Sequence, residues 1–392
     1  LRFGSMAIRA PMALDAKRSA CVLLLKTVGI SSLQADTRAD VNTVEFTFRS
    51  NQGQWECGCR VRNPVKCGSI RTRRPSIGQL TRGICAVAYL PFQMAHDLVI
   101  LGPHVPTGPD SGTATPSADM AEPAPQAAIQ ALAPNATIET ARGVARVRDV
   151  IDSPALRSAI GALSQQYGVD VAIVDSERRL SDFRLVAMDM DSTLITIECI
   201  DEIADYCGLK AEVSAITEAA MRGEIKDFNE SLTRRVALLK GLDAGALEKV
   251  FEERLQLSQG AETMLRGVQS LGIRTLLVSG GFTFFTDRLK ARLNLDVTRA
   301  NTLEIVDGKL TGRVLGEIVN AEVKARTVTE VAAQFGATPA QAIVMGDGSN
   351  DLQMMSIAGL SVAFRAKPVV REKASVAFNY VGLDGLLSLF RA

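Results

Sequence analysis

Histidine is nearly missing from this chain. Its 392 residues include only two, His96 and His104, so chemistry carried by later residues must proceed without imidazole. That excludes a Ser-His-Asp triad, a Cys-His pair and a His-ligated zinc beyond residue 104. No run of 18 apolar residues occurs, and no membrane-spanning segment is expected. The only leader-like stretch, residues 20–30, is short, is broken by Lys26 and lacks a clean small-residue cleavage site. Net charge is also close to absent, with 44 Lys+Arg against 43 Asp+Glu. Read over the whole chain, that balance argues against a polyanion-binding protein and against an acidic disordered one. What is present is ordinary for a globular protein with a sizeable core, 47% hydrophobic and 22% charged. The length suggests two to three domains.

The charge balance conceals an asymmetry. Residues 1–93 carry 14 Lys+Arg and 5 Asp+Glu, whereas residues 94–392 carry 30 and 38. The same boundary separates Cys21, Cys57, Cys59, Cys67, Cys85 and the sole tryptophan, Trp55, from a remainder that holds only Cys199 and Cys207. The front segment has little sustained periodicity: short strands fit residues 44–48 and 86–90, and 60–82 reads as basic loop. A zinc knuckle on Cys57, Cys59 and Cys67, or a nucleic-acid arm, competes with a plainer reading. Cys57-Gly58-Cys59 lacks the two-residue gap of a zinc turn, and no aromatics interleave the arginines. We therefore expect 1–93 to be an extension that is disordered or not native to the protein, with Met94 heading the folded part and no nucleic-acid partner.

Residues 94–180 read as a small α/β module, regulatory-like only by the family resemblance given below. A strand-like His96-Asp-Leu-Val-Ile precedes a Pro/Ala-rich loop at 102–134, and residues 136–150 form a strand region. An amphipathic helix over 153–167 follows, with Ser153 as N-cap, Pro154 at N1 and Gly168 as C′ residue. A strand at 169–174 completes the unit. It lacks the polar constellation of an active site; cap, sensor and dimerisation element all remain open for it.

The chemistry lies further on. Residues 184–188 are an apolar run leading into Asp189-Met190-Asp191-Ser192-Thr193. The i, i+2 spacing puts both carboxylates on one side of an extended chain, where they repel unless a cation lies between them. The end of a parallel strand is where α/β folds place ligands, although a pair capping the next helix fits as well. A second apolar strand, 274–278, ends in Ser279-Gly280-Gly281, whose flexible backbone gives N–H groups room to approach an anion. Lys324 falls on a helix pattern. A third strand, 341–345, runs into Gly346-Asp347-Gly348-Ser349-Asn350-Asp351, a glycine-punctuated acidic loop suited to a hard cation. Any one of these fits a turn or a solvated surface; four in this order do not. Between the first two, residues 196–257 show 3.6-residue apolar recurrence over 201–207, 211–221 and 229–239, the pattern of an inserted helical cap. Residues 303–312, centred on Asp307-Gly308, read as a β-hairpin.

Asp189-Met-Asp-Ser-Thr, Ser279-Gly-Gly, Lys324 and Gly346-Asp-Gly-Ser-Asn-Asp resemble the four motifs of the haloacid dehalogenase (HAD) superfamily. The closer resemblance is to its phosphoserine phosphatase family, through Glu198-Cys-Ile-Asp-Glu-Ile-Ala, Met221-Arg-Gly-Glu, Glu230-Ser-Leu-Thr-Arg-Arg-Val and Ala300-Asn-Thr-Leu-Glu-Ile-Val-Asp-Gly-Lys-Leu-Thr-Gly. It covers residues 184–390; Ser349, where the family usually has Ala, departs from it. The resemblance implies a HAD-like Rossmannoid parallel sheet over 181–392 with the helical cap at 196–257. It implies Asp189 as nucleophile, Asp191 as general acid and base, and Mg²⁺ held by the Asp189 carboxylate, the Asp191 main-chain carbonyl and Asp347. Asp351 would hold metal waters or Lys324. Lys324, Ser279 and Gly280 would stabilise the phosphoryl oxygens, Asn350 would border the substrate, Glu198 would meet its ammonium and Arg235 its carboxylate. Met221 and Phe228 would shield the site. A cytoplasmic enzyme is implied, in which Cys199 and Cys207 are reduced thiols; a homodimer is one assembly the resemblance allows. Another small phosphomonoester as substrate, or a non-catalytic phospho-ligand sensor on the same fold, are the competing readings.

Overall fold

A computed structural model describes residues 6–8, 44–51, 54–61, 96–102, 138–141, 144–221, 224–225 and 227–391. The chain divides into two compact units, Leu1–Gln93 and Met94–Ala392. In the first, β1 (Met6–Ile8), β2 (Val44–Asn51) and β3 (Gln54–Val61) form an antiparallel sheet in that order. The strand expected at 44–48 is the first part of β2. Arg60, expected to open a basic loop, instead pairs with Glu45 near the end of β3. The strand expected at 86–90, the remaining basic loop, the side chains of Cys57, Cys59 and Cys67, and most of the stretch expected to be disordered lie outside the described residues.

The second unit opens with a four-stranded antiparallel sheet of β4 (His96–Leu101), β5 (Ile138–Ala141), β6 (Val144–Val150) and β7 (Asp170–Asp175), ordered β5-β6-β4-β7. The single strand region expected at 136–150 is a hairpin, β5 pairing with β6. The helix Pro154–Tyr167 packs Leu156 and Leu163 on this sheet. Its ends are as the residues dictate: Ser153 Oγ accepts the Leu156 N–H at 3.2 Å, and Gly168 takes the left-handed conformation, φ 62°. The loop expected at 102–134 lies, beyond Gly102, outside the described residues.

The larger sheet has seven strands: β8 (Leu185–Met188), β9 (Arg274–Phe282), β10 (Val297–Val306), β11 (Lys309–Leu315), β12 (Ala342–Gly346), β13 (Leu360–Phe364) and β14 (Val376–Phe378). Their order is β11-β10-β9-β8-β12-β13-β14, parallel throughout except for the β10–β11 hairpin. That hairpin turns at Asp307 and Gly308, both at positive φ (49° and 75°) as a two-residue turn of this kind needs. β8, β12 and β13 are buried at every position because helices cover both faces. Alternate residues go to opposite sides: Val186, Met188, Ile343 and Met345 join one apolar cluster, and Leu185, Ala187 and Val344 join the other. In register, Met188 pairs with Leu277 on one side and Met345 on the other. The winding leaves β8 toward β9 and returns to β12 on its far side, so Asp189, Ser279 and Asp347 emerge together at the crevice where such sheets bind ligands.

The cap holds helices Cys199–Tyr206, Lys210–Met221, Phe228–Leu238 and Gly245–Glu253. Its two connections to the core run side by side, Ile195 bridging Leu257, with the Thr196 N–H on Gln256 O and the Ser258 N–H on Leu194 O.

The small sheet docks on the C-terminal segment through buried charge. Asp97, fully buried, accepts from Arg391 at 2.7 and 2.8 Å and from Arg146 at 3.2 Å. Arg146 also donates to the carbonyls of Ser388 and Leu389. Asp170 accepts the backbone N–H groups of Asn379, Tyr380 and Val381. Removing one partner of such a pair strands the other in low dielectric. Asp97→Ala is therefore expected to cost about 3 kcal/mol in urea unfolding; an unchanged midpoint would show that the docking contributes nothing.

Candidate active site

At the centre is a lysine without water. The helix Ala321–Gln334 begins at Asn320, whose side chain caps the Val323 N–H, and one turn later it delivers Lys324 into the interior, 0% exposed. Its Nζ lies 2.7 Å from Asp189 Oδ2 and 2.8 Å from Asp351 Oδ1. Burial alone presses the ammonium pKa down, but the two carboxylates outweigh it and hold the pKa above the usual lysine value. The other Asp351 oxygen accepts the Gly348 N–H at 3.1 Å, so Asp351 faces Lys324 with one oxygen and its own loop with the other.

Asp189 sits directly after β8. Its Oδ1 accepts the Met190 N–H at 2.7 Å, and Oδ2 faces Lys324 and, at 3.5 Å, the Asn350 amide. Burial, then the Asp351 charge, pushes its carboxyl well above the ordinary range. Asp191 accepts the Cys199 N–H at 3.1 Å; burial, then Glu198, raises its pKa to about 7. Asp347, held by the Thr193 hydroxyl at 3.2 Å, is pushed to about 6 by burial and Asp351. Ligand atoms of Asp189, Asp347 and Asp351 lie within 4.8 Å of one another. Oxygen donors this close, with protonation favoured by their own crowding, fit a hard divalent cation.

The expected strand end at Val278 is overrun. β9 continues through Ser279, Gly280 and Gly281 to Phe282, with a register shift where it meets β10 between Arg299 and Asn301. Ser279 is fully buried, and its Oγ accepts the Gly281 N–H at 2.8 Å. At Gly281 an added Cβ would stand 2.6 Å from Asp191 Oδ2, and at Gly280 3.0 Å from the Phe228 ring. These glycines admit the carboxylate from below and the cap residue from above.

A cavity of about 530 Å³ opens between core and cap. Its walls include Asp189, Asp191, Glu198, Phe228, Arg235, Gly280, Asp347 and Asn350, all expected from the sequence. Lys324, Ser279 and Asp351 stand behind that surface. Met221 ends its helix, and its side chain lies outside the described residues. Glu198 precedes the first cap helix and accepts the Ser192 hydroxyl at 2.7 Å, an approach for which Ser192 adopts φ 54°. Arg235 faces it from the third cap helix, its pKa lowered by burial. Asp201, another wall residue, has one carboxylate oxygen closed off without a hydrogen-bond partner. Thr193, Asp201 and Asn301 are among the polar residues left without a role in the sequence; each stood inside a quoted motif.

The model of the haloacid dehalogenase-like hydrolases matches residues 186–356. A HAD family hydrolase of Salmonella enterica serovar Typhi superposes with TM-score 0.66 at 33% identity, over 76% of this chain and 99% of that one. A phosphoserine phosphatase of Polaromonas sp. is 55% identical over 57% of this chain and 97% of its own length. One from Haemophilus influenzae is 48% identical over 57% of this chain and 71% of its own. Fold and site thus define a haloacid dehalogenase-like hydrolase. Within that class the chain belongs to the phosphoserine phosphatase family.

Gly281→Ala tests the packing of Asp191. The new methyl should displace the carboxylate and lower aryl phosphate hydrolysis about 100-fold with an unchanged circular dichroism spectrum. Near-normal turnover would mean Asp191 is not held by that contact.

Proposed function

We infer that the protein hydrolyses O-phospho-L-serine to L-serine and phosphate, a phosphoric monoester hydrolase completing serine biosynthesis. The observation that carries this reading is one cavity lined by Asp189 and Asp191 on the core side and by Glu198 and Arg235 on the cap side. Opposite charges above a phosphoryl site suit a zwitterionic head group, and a guanidinium pairs a carboxylate through two parallel hydrogen bonds.

Asp189 attacks phosphorus and becomes an aspartyl-phosphate, dividing one displacement into two. Lys324 keeps the attacking carboxylate oriented and offsets negative charge next to the dianion. Asp191 gives its proton to the departing serine oxygen, then takes one from the attacking water. A carboxyl whose pKa lies near 7 is suited to both directions. The Ser279 hydroxyl and the Gly280 N–H, near the end of β9, donate to the phosphoryl oxygens. Mg²⁺ would be held by the carboxylates of Asp189 and Asp347 and the main-chain carbonyl of Asp191, and when bound it neutralises charge on carboxylates and phosphate together. Asp351 keeps Lys324 in place behind them, and Phe228 closes the cap side against water. The free thiols of Cys199 and Cys207 suit a reducing, cytoplasmic setting.

The test is phosphate release with and without Mg²⁺ across phosphoserine, phosphothreonine and sugar phosphates, with two variants. Asp189→Asn should lose at least about 1,000-fold in rate while remaining folded. Arg235→Ala should lose about 100-fold in kcat/KM on phosphoserine and far less on p-nitrophenyl phosphate. Full activity of the first variant would exclude the nucleophile; equal losses on both substrates by the second would exclude the head-group role.

A further inference from the structure

Asn301 occupies a position that the reaction scheme above leaves unused. It is 1% exposed and sits in β10 where the register with β9 shifts. Its Nδ2 donates to the Gly280 carbonyl at 2.7 Å, and its Oδ1 accepts the Val319 N–H at 2.8 Å. Only one orientation of the amide satisfies both, since the flipped one would set oxygen against oxygen and NH₂ against N–H. The two anchored points are functional neighbours. Gly280 lies near the end of β9 and lines the cavity assigned to the phosphoryl group. Val319 precedes Asn320, which caps the helix that delivers Lys324 and accepts the Lys324 N–H at 2.9 Å. The Asn320 side chain also reaches Asn229 of the cap at 3.2 Å.

We propose that Asn301 is a positioning residue for phosphoryl transfer: one buried amide sets the distance between the Gly280 backbone and the start of the Lys324 helix. No helix or strand joins these segments directly. β9 and the helix are separated by the whole β10–β11 hairpin, and without the clip each keeps its own fold while their spacing relaxes. Groups aimed at developing charge lose their effect on displacement of about 1 Å. The clip therefore acts on the transition state more than on the bound ester.

This rests on the phosphoserine reading, and the test separates the two. Wild-type enzyme, Asn301→Ala and Asn301→Ser are compared for kcat and KM on phosphoserine and p-nitrophenyl phosphate, for inhibition by orthovanadate, and for thermal melting. Ser guards against an Ala variant that does not fold. The proposal expects kcat to fall about 10- to 100-fold on both substrates, KM to move less than about threefold, and the vanadate Ki to rise by the same factor as the loss in kcat/KM. Lowered melting temperature with unchanged kcat at 25 °C overturns it, since the amide is then only structural. A fall in kcat with unchanged vanadate affinity overturns it too. If wild type hydrolyses p-nitrophenyl phosphate but not phosphoserine, the substrate reading fails, while Asn301 is still judged on the aryl ester and vanadate.

Discussion

Everything at this site depends on a cation enclosed by carboxylates. Lys324 has no exposed surface, and it remains charged because Asp189 and Asp351 stand within 2.8 Å of its Nζ. Buried ionisable groups are costly in a protein interior when left unpaired. The arrangement holds as a set, and it places one more carboxyl group beside Lys324 than a single ammonium can balance. Asp347 adds another. That crowding of carboxylates, facing a cavity, suits a divalent cation.

The same electrostatics divides the labour between two carboxylates separated by a single residue. Asp189 is tied to Lys324 and to the Met190 N–H, which fix the orientation of its carboxylate. Asp191 lies across from Glu198 and takes only the Cys199 N–H, and its pKa rises to about 7. In the proposed mechanism, environment rather than residue type makes one the nucleophile and the other the proton carrier. Histidine would normally titrate in that range; a crowded aspartate does so here, which accounts for a catalytic half of the chain that contains none.

The core of the large sheet was legible because β8, the first part of β9 and β12 are short unbroken apolar runs, and because Asp189 and Asp347 stand immediately beyond β8 and β12; β13 and β14 were not read from the sequence. The cap was legible from its helical periodicity, and Glu198 and Arg235 from resemblance alone. Less legible was whatever depends on contacts distant in sequence. Nothing local announces that β9 runs on through Ser279-Gly280-Gly281; its partners there lie in β10, where Asn301, 21 residues from Gly280, pairs with Phe282 and donates its amide to the Gly280 carbonyl. The Asp97 and Asp170 contacts, which join strands near the front of the second unit to the last residues of the chain, span more than 200 positions. The pairing of β2 with β3 was missed for another reason: β-pairing is decided by the partner strand, and the alternation there is weak.

The most direct measurement of the central claim is chemical trapping of the intermediate. Enzyme mixed with ³²P-labelled phosphoserine and quenched in acid should carry label that hydroxylamine removes, and peptide mapping should place it on Asp189, with the yield lost in Lys324→Ala. Label on Asp191, on a serine or on a lysine would contradict the account, as would steady turnover with no trapped protein-bound phosphate.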